Sequence, residues 1–269
     1  MTLFLVYLAT GALAGLLGGL LGVGGGLIVV PVLVFLFQAQ HFPATVLTQM
    51  AVATSLATII FTSISAIRAH HERGAVRWEL VRRIAPGIVL GTLLGAEIAH
   101  GLEGRVLQLI IGSFALLVGL QMLTGWQPGR RRKNAGENLP GPAGLATGGG
   151  VIGMASALFG IGGGSMTVPW LSHAGLRMQE AVATSSACGL AIALSGAAGF
   201  IFTGLRATGL PEHSLGYVYL PAFLGISLAS LLFARLGATL AHRLPAATLK
   251  RIFALLLLLI GSQFIFGLH

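Results

Sequence analysis

Charge is what this sequence has least of: 9% of its 269 residues are Asp, Glu, Lys or Arg, and only 7 of those are acidic. With 55% hydrophobic residues and a mean hydropathy of +0.90, a soluble domain of this length could not cover its own surface. The chain is therefore read as an integral membrane protein. Cysteine is nearly absent as well. Cys188 stands alone, which excludes a disulfide framework and a thiolate metal site. No Lys-Ser/Thr pair follows a glycine cluster, so a phosphate loop for ATP is missing. His70-His71-Glu72 are consecutive and point in different directions on a helix, unlike a zinc-binding His-x-x-x-His pair. Nor is there a nucleophile with a companion base, so catalysis has no support and no cofactor is expected. The first residues, Met1-Thr2-Leu3-Phe4, carry no basic segment and read as the start of a membrane helix rather than a removable leader.

The net charge of +9 would suggest nucleic acid in a soluble protein. Here the basic residues sit in short loops between apolar runs, where they report topology instead. Residues 1–67, 106–129, 139–175, 181–205, 214–234 and 252–269 contain no Asp, Glu, Lys or Arg, and several of these runs exceed the roughly 20 residues needed to span a bilayer.

Glycine, by contrast, is abundant at 40 residues. Part of it forms four-residue ladders, Gly11-Gly15-Gly19 and Gly87-Gly91-Gly95, that suit close helix packing. The rest is more informative. Gly22-Val23-Gly24-Gly25-Gly26-Leu27-Ile28-Val29-Val30-Pro31 returns 138 residues later as Gly160-Ile161-Gly162-Gly163-Gly164-Ser165-Met166-Thr167-Val168-Pro169, identical at six of ten positions. A glycine cluster makes a poor helix, at about 1 kcal/mol per residue relative to alanine, and exposes backbone that lipid cannot satisfy. The helix should break there, inside protein. A second pair of blocks, Gln49 to Ser55 and Gln179 to Ser185, matches at six of seven positions with an offset of 130. Two matched blocks in the same order indicate an internal duplication, with the eight-residue difference expected in the loop around residues 38–45. Gly148 to Gly153 also fits a dinucleotide fingerprint formally, but no strand precedes it.

The periodicity predicts segments over residues 3–21, 27–37, 44–68, 78–99 and 105–123, a basic linker around Arg130-Arg131-Arg132-Lys133, and then segments over 143–159, 165–171, 179–202, 215–240 and 249–266. The organisation is thus an N-terminal membrane repeat (1–125), a linker (126–142) and a C-terminal membrane repeat (143–269). The basic bias falls in the loop after the third segment in the first half (Arg68, Arg73, Arg77, Arg82, Arg83) and in the next loop in the second (Arg243, Lys250, Arg251, with Arg235 nearby). If those loops and the linker are cytoplasmic, the repeats are inverted and both chain ends face outward. Segments one and two of each half are either two crossings or one re-entrant hairpin; length favours two crossings. The expected fold is an all-α membrane protein of two inverted five-segment repeats.

Paired glycine-interrupted segments are a sequence pointer to a transporter binding site. A small anion crossing lipid needs hydrogen-bond donors without a fixed excess of buried positive charge. Broken helices supply backbone N–H groups at close range and positive dipole ends. The candidate substrate-binding residues are Gly22, Gly24, Gly25, Gly26, Gly160, Gly162, Gly163, Gly164 and Ser165, with side-chain donors from Gln49, Thr54, Ser55, Gln179, Thr184 and Ser185. Arg177 and Glu180 are candidates for gating or coupling, as an entry attractor and a proton carrier; the plainer reading of Glu180 is a carboxylate on a helix N-terminus. Glu97 beside His100 reads as interfacial, and Arg235 as snorkelling to the cytoplasmic face.

The two glycine-rich decapeptides with Pro31 and Pro169, the paired Ala-Val-Ala-Thr-Ser blocks and the proline-started, glycine-bearing helices at Pro86 and Pro221 together resemble the TauE/SafE sulfite exporter family (TSUP transporters), over essentially the whole chain. The resemblance implies transport of small sulfur-containing anions, such as sulfite, sulfonates or sulfoacetate, across the bacterial inner membrane. Members differ in substrate and direction. An anion channel or a carboxylate transporter is the alternative, and the energy source, whether protons or membrane potential, and a homodimeric assembly stay open.

Overall fold

A computed structural model describes residues 2–21, 25–124, 139–241 and 246–267. These form ten α-helices and one small hairpin: α1 (Thr2–Leu21), α2 (Gly26–Ala39), α3 (Leu47–His71), α4 (Trp78–Gly101), α5 (Gly104–Thr124), α6 (Pro142–Phe159), α7 (Gly164–His173), α8 (Met178–Gly204), β1 (Ser214–Leu215), β2 (Val218–Tyr219), α9 (Leu220–Ala241) and α10 (Ala246–Phe266). Five of them (α3, α4, α5, α6 and α8) are long and apolar enough to cross a membrane. The expected Gly22 and Gly24, most of the basic linker with Arg130 to Lys133, Arg243, and the side chains of Arg235 and Lys250 lie outside what is described.

The tightest packing joins the first five helices to the last five. α1 lies along α9, α4 along α6, α3 along α8 and α5 along α10. Glycine makes the first two of these seams possible. A Cβ on Gly11 would sit 2.5 Å from the Ile226 carbonyl oxygen, and one on Gly15 would sit 2.7 Å from the Ser230 Cα. Gly149 presses in the same way on the Ile84 carbonyl (2.6 Å), and Gly153 presses on the Ile88 carbonyl. Gly87 and Gly91 of α4 meet the backbone of Ala146 and Gly150. Backbone touches backbone along both seams, the geometry small-residue ladders permit. α3 and α8 fill the middle, with Met50, Ala51, Val52, Ala53 and Leu56 wholly buried on one and Ala181, Ala183, Cys188, Ile192 and Ala193 on the other.

Contacts between helix ends sort the bundle into two ends. At one, Gln49 Nε2 donates to the carbonyls of Leu102 (2.9 Å) and Ala99 (3.3 Å), His100 Nδ1 lies 2.8 Å from the Tyr217 hydroxyl, and the Arg105 guanidinium donates to the Phe264 and Ile265 carbonyls. Tyr7, Phe37, Phe42 and Tyr219 pack ring to ring at this end. At the other end Arg77, at the start of α4, lies 3.8 Å from Glu180 at the start of α8.

Three expectations need adjustment. The segment placed at 215–240 begins at Leu220, because residues 214–219 close an antiparallel hairpin pairing Ser214 with Tyr219 and Leu215 with Val218. Gly216 turns it at φ +53°, and Pro221 then sits in the first turn of α9, where a missing N–H costs nothing. Pro86 does not start a helix: α4 begins at Trp78 and carries Pro86 inside it. Finally, the extra residues of the first half are not all loop. α2 has 14 residues against 10 in α7, so one additional helical turn takes up part of the difference. At about 1.5 Å per residue, α2 spans about 21 Å and α7 about 15 Å, short of the ~30 Å hydrocarbon core.

Candidate functional site at the second helix break

The second glycine cluster breaks the chain as its composition requires. Gly160 ends α6 at φ +66° with its N–H on the Ser156 carbonyl, and Gly163 caps α7 at φ +72°. Both conformations strain any residue with a Cβ. α7 packs against α8 and brings the Trp170 ring against Gly148 of α6. The first break reaches the same place. Gly25 precedes α2 at φ −65°, and a Cβ on Gly26 would lie 2.6 Å from the Gly160 carbonyl oxygen and 3.1 Å from Ile161 Cα. The two glycine clusters therefore meet, with the start of α2 seated on the turn between α6 and α7.

Donors gather on the α7 side. Met166 and Thr167 N–H groups close the first turn on the Gly163 carbonyl, which leaves the Gly164 and Ser165 N–H groups without intrahelical acceptors. Ser156 and Thr167 are wholly buried and flank Gly163: a Cβ there would be 3.5 Å from Ser156 Oγ and 3.3 Å from Thr167 Oγ1. Neither hydroxyl has a hydrogen-bond partner, and the Ser165 hydroxyl has none either. Thr92 of α4, equally buried and unpaired, sits 2.8 Å from the Cβ position of Gly153, one turn before Ser156. An unpaired hydroxyl in a dry interior costs about 1–3 kcal/mol. Several around one helix N-terminus mark a place built to be filled by an acceptor. Among the described residues no charged side chain is buried, and no group of three His, Cys or Glu could hold a metal.

The remaining candidates fall into two groups. Ser55 belongs to the break, donating to the Gly160 carbonyl at 2.8 Å, and Ser185, its repeat counterpart, is buried with an unpaired Oγ. Gly162 also belongs, its carbonyl 2.6 Å from the Cβ position of Gly189. Thr54 and Thr184 are engaged elsewhere in matching ways. Tyr219 N–H, just ahead of α9, donates to Thr54 Oγ1 at 3.0 Å, and Arg77 N–H, just ahead of α4, donates to Thr184 Oγ1 at 3.1 Å. Each threonine thus ties down the start of a helix from the opposite half. Gln49 and Gln179 are not brought together. The first caps the carbonyl end of α4, while the second is exposed at the start of α8. Arg177 and Glu180 form a local pair at 3.0 Å, with Glu180 accepting the Arg177 backbone N–H at 3.3 Å. That is the plain helix-start carboxylate. Glu97 pairs with Arg206 at 3.8 Å, both exposed.

Sequence reasoning missed Ser156, Thr167 and Thr92. A helical stripe through Gly149, Gly153, Ser156 and Gly160 would have pointed to the first of them.

Comparison with known proteins agrees with the membrane reading. The profile of the sulfite exporter TauE/SafE family matches residues 7–264. A membrane transporter protein of Haemophilus influenzae, so named with the qualifier "probable", is 37% identical over 260 residues, covering 97% of each chain. The similarly named YunE of Bacillus subtilis is 28% identical over 98% of this chain and 97% of its own. A third such protein, from Methanocaldococcus jannaschii, is 27% identical over 89% of this chain and 87% of its own. No solved structure matches.

Proposed function

Because the chain belongs to the TauE/SafE sulfite exporter family and is a multi-pass membrane transporter rather than an enzyme, we propose that its cargo is a small sulfur-containing anion, sulfite or an organosulfonate, held at the junction of the two glycine breaks. The observation that carries this is the neutral donor set at the start of α7. Backbone N–H groups lie beside the unpaired hydroxyls of Ser156 and Thr167, which flank Gly163, and among the described residues no cation is buried. Such a site stabilises an oxyanion by directed hydrogen bonds and releases it more readily than a buried lysine or arginine would.

Transport then proceeds by alternating access, one repeat moving against the other around the seated breaks. The inverted arrangement of the repeats is supported by the end contacts: α3 begins at the end where α4 finishes, and α8 begins at the end where α4 starts. On the positive-inside reading of Arg68 to Arg83, the proposal has the Arg77–Glu180 end inside, the aromatic end outside, and both termini on the periplasmic side of a bacterial inner membrane. A neutral site carries no proton of its own. The membrane potential supplies the drive, about 2.3 kcal/mol per charge per 100 mV, and in an inside-negative cell this favours export of an anion.

Thermal stabilisation of the detergent-purified protein tests the ligand class. Sulfite, sulfate, thiosulfate, taurine, sulfoacetate, short carboxylates and nucleotides are compared, since a ligand bound to the folded state raises the melting temperature by mass action. A shift confined to sulfite or sulfonates is expected. A shift with carboxylates or nucleotides alone overturns the assignment and leaves the fold standing.

A further inference from the structure

Resting on the alternating-access reading, we propose that Thr54 and Thr184 are the latches of two gates, one at each end of the bundle, and that each end opens when its threonine releases the helix start it holds.

The two threonines are repeat counterparts, 130 residues apart, and both are wholly buried. Each accepts one main-chain N–H from the other half. Thr54 of α3 holds Tyr219, just ahead of α9, at 3.0 Å, and Thr184 of α8 holds Arg77, just ahead of α4, at 3.1 Å. α4 and α9 are counterparts too, the fourth helix of each half. The same contact is therefore made once at the aromatic end and once at the Arg77–Glu180 end. What stands behind it differs. The Tyr219 ring packs edge-on against Tyr7, Phe37 and Phe42, whereas the Arg77 guanidinium lies 3.8 Å from Glu180, which also pairs with Arg177. One end is closed by rings and the other by charge.

Farther along, α9 and α4 are held by backbone contact. Gly11 and Gly15 press α1 onto Ile226 and Ser230 of α9, and Gly87, Gly91 and Gly95 press α4 onto Ala146, Gly150 and Met154 of α6. Each latch, by contrast, is a single part-buried hydrogen bond, which shifts an equilibrium about twofold to tenfold. That is enough to bias a gate and too little to lock it. The first latch also adjoins the candidate site, since Ser55, next in the chain to Thr54, donates to the Gly160 carbonyl at 2.8 Å. Ser185, next to Thr184, is buried without a partner. Both latches are made in this structure, so an open form must break one of them.

Side-specific thiol labelling of the full-length chain, in right-side-out and inside-out membrane vesicles, tests the assignment. Cys188→Ala removes the one native cysteine. Ala57→Cys and Ala187→Cys then report the two ends: both alanines are buried, and each lies three residues deeper than its threonine on the same helix face. The reagent is a trimethylammonium-bearing methanethiosulfonate, which does not cross lipid. Thr54→Val should speed labelling at position 57 about twofold to tenfold in right-side-out vesicles without speeding position 187. Thr184→Val should speed position 187 by a similar factor in inside-out vesicles and spare position 57. Thr54→Ser and Thr184→Ser keep the acceptor and should label like the parent. Glu180→Gln, a change near the surface that weakens the hold on Arg77, should speed position 187 alone even if a valine variant fails to fold. Melting temperatures show which variants are folded. Folded variants that speed both positions alike, or neither, overturn the latches and leave alternating access standing. Both positions reacting from the same side of the membrane in the parent overturns the inverted, alternating-access reading beneath them.

Discussion

Gly91→Ala should unseat α4 from α6, and the structure sets the scale of the damage. A Cβ at Gly91 falls onto the Gly150 carbonyl oxygen, with the carbonyl carbon at 2.7 Å and Cα at 2.8 Å. Every clashing atom is backbone, so no side chain can rotate aside and the two helices must separate. Separation also loosens the neighbouring contacts of Gly87 with Ala146 and of Gly95 with Met154. Overpacking costs typically 1–3 kcal/mol, and an obstacle made wholly of backbone belongs at the upper end. At about 2–4 °C per kcal/mol, the melting temperature should fall by roughly 4–12 °C. The matched control is Gly101→Ala at the end of the same helix, where a Cβ meets nothing within 4 Å. That change should be neutral or stabilise by up to about 1 kcal/mol. Fluorescence-detected melting of the two variants in one detergent decides the matter. Equal melting temperatures would refute the account of the glycine ladder as a backbone contact seam.

The other predictions concern hydroxyls and charge. Thr54→Val and Thr184→Val each remove the acceptor of a part-buried backbone N–H at a helix start, so each should cost about 1–2 kcal/mol by melting, and by similar amounts. Thr167→Val should instead leave the unliganded protein as stable or more stable, since it removes a hydroxyl that has no partner. Glu180→Gln should leave the pH profile of transport unchanged, because the carboxylate serves Arg177 and Arg77 at the start of α8; an altered profile in proteoliposomes would restore it as a proton carrier. With potassium and valinomycin clamping the potential, anion accumulation should change about fiftyfold per 100 mV per charge, and indifference to the clamp would exclude potential-driven transport.

The helix breaks were legible in the sequence because glycine clusters are rare punctuation in apolar runs and this one occurs twice. Helix order followed for the same reason: each half repeats a long run, a break, a short run and a block around Ala-Val-Ala-Thr-Ser. The two breaks meet at Gly26 and Gly160. The hydroxyls were harder. Ser186, Ser195 and Thr203 of α8 donate to the carbonyl four residues earlier, the default in a membrane helix, whereas Ser156 and Thr167 do not. For Thr167 nothing in the residue letters separates the two behaviours; burial beside a left-handed glycine does. Thr54 and Thr184 repeat for a related reason. The duplicated block also carries residues that fasten helix ends, so recurrence alone did not separate fastening from binding. The hairpin at 214–219 left little trace, since two-residue strands have no periodicity, and Gly216 was one glycine among 40.

The central claim is that the cargo sits where the two breaks meet, and locating a bound anion tests it most directly. Crystals of the protein soaked with a bromo-substituted alkanesulfonate, measured at the bromine absorption edge, would show the tail as an anomalous peak and the acid group in the adjoining density. Sulfonate oxygens are expected within hydrogen-bond distance of Ser156 and Thr167, the unpaired hydroxyls that flank Gly163. A sulfonate bound instead among the arginines of the α3–α4 loop, with the break empty, would contradict it.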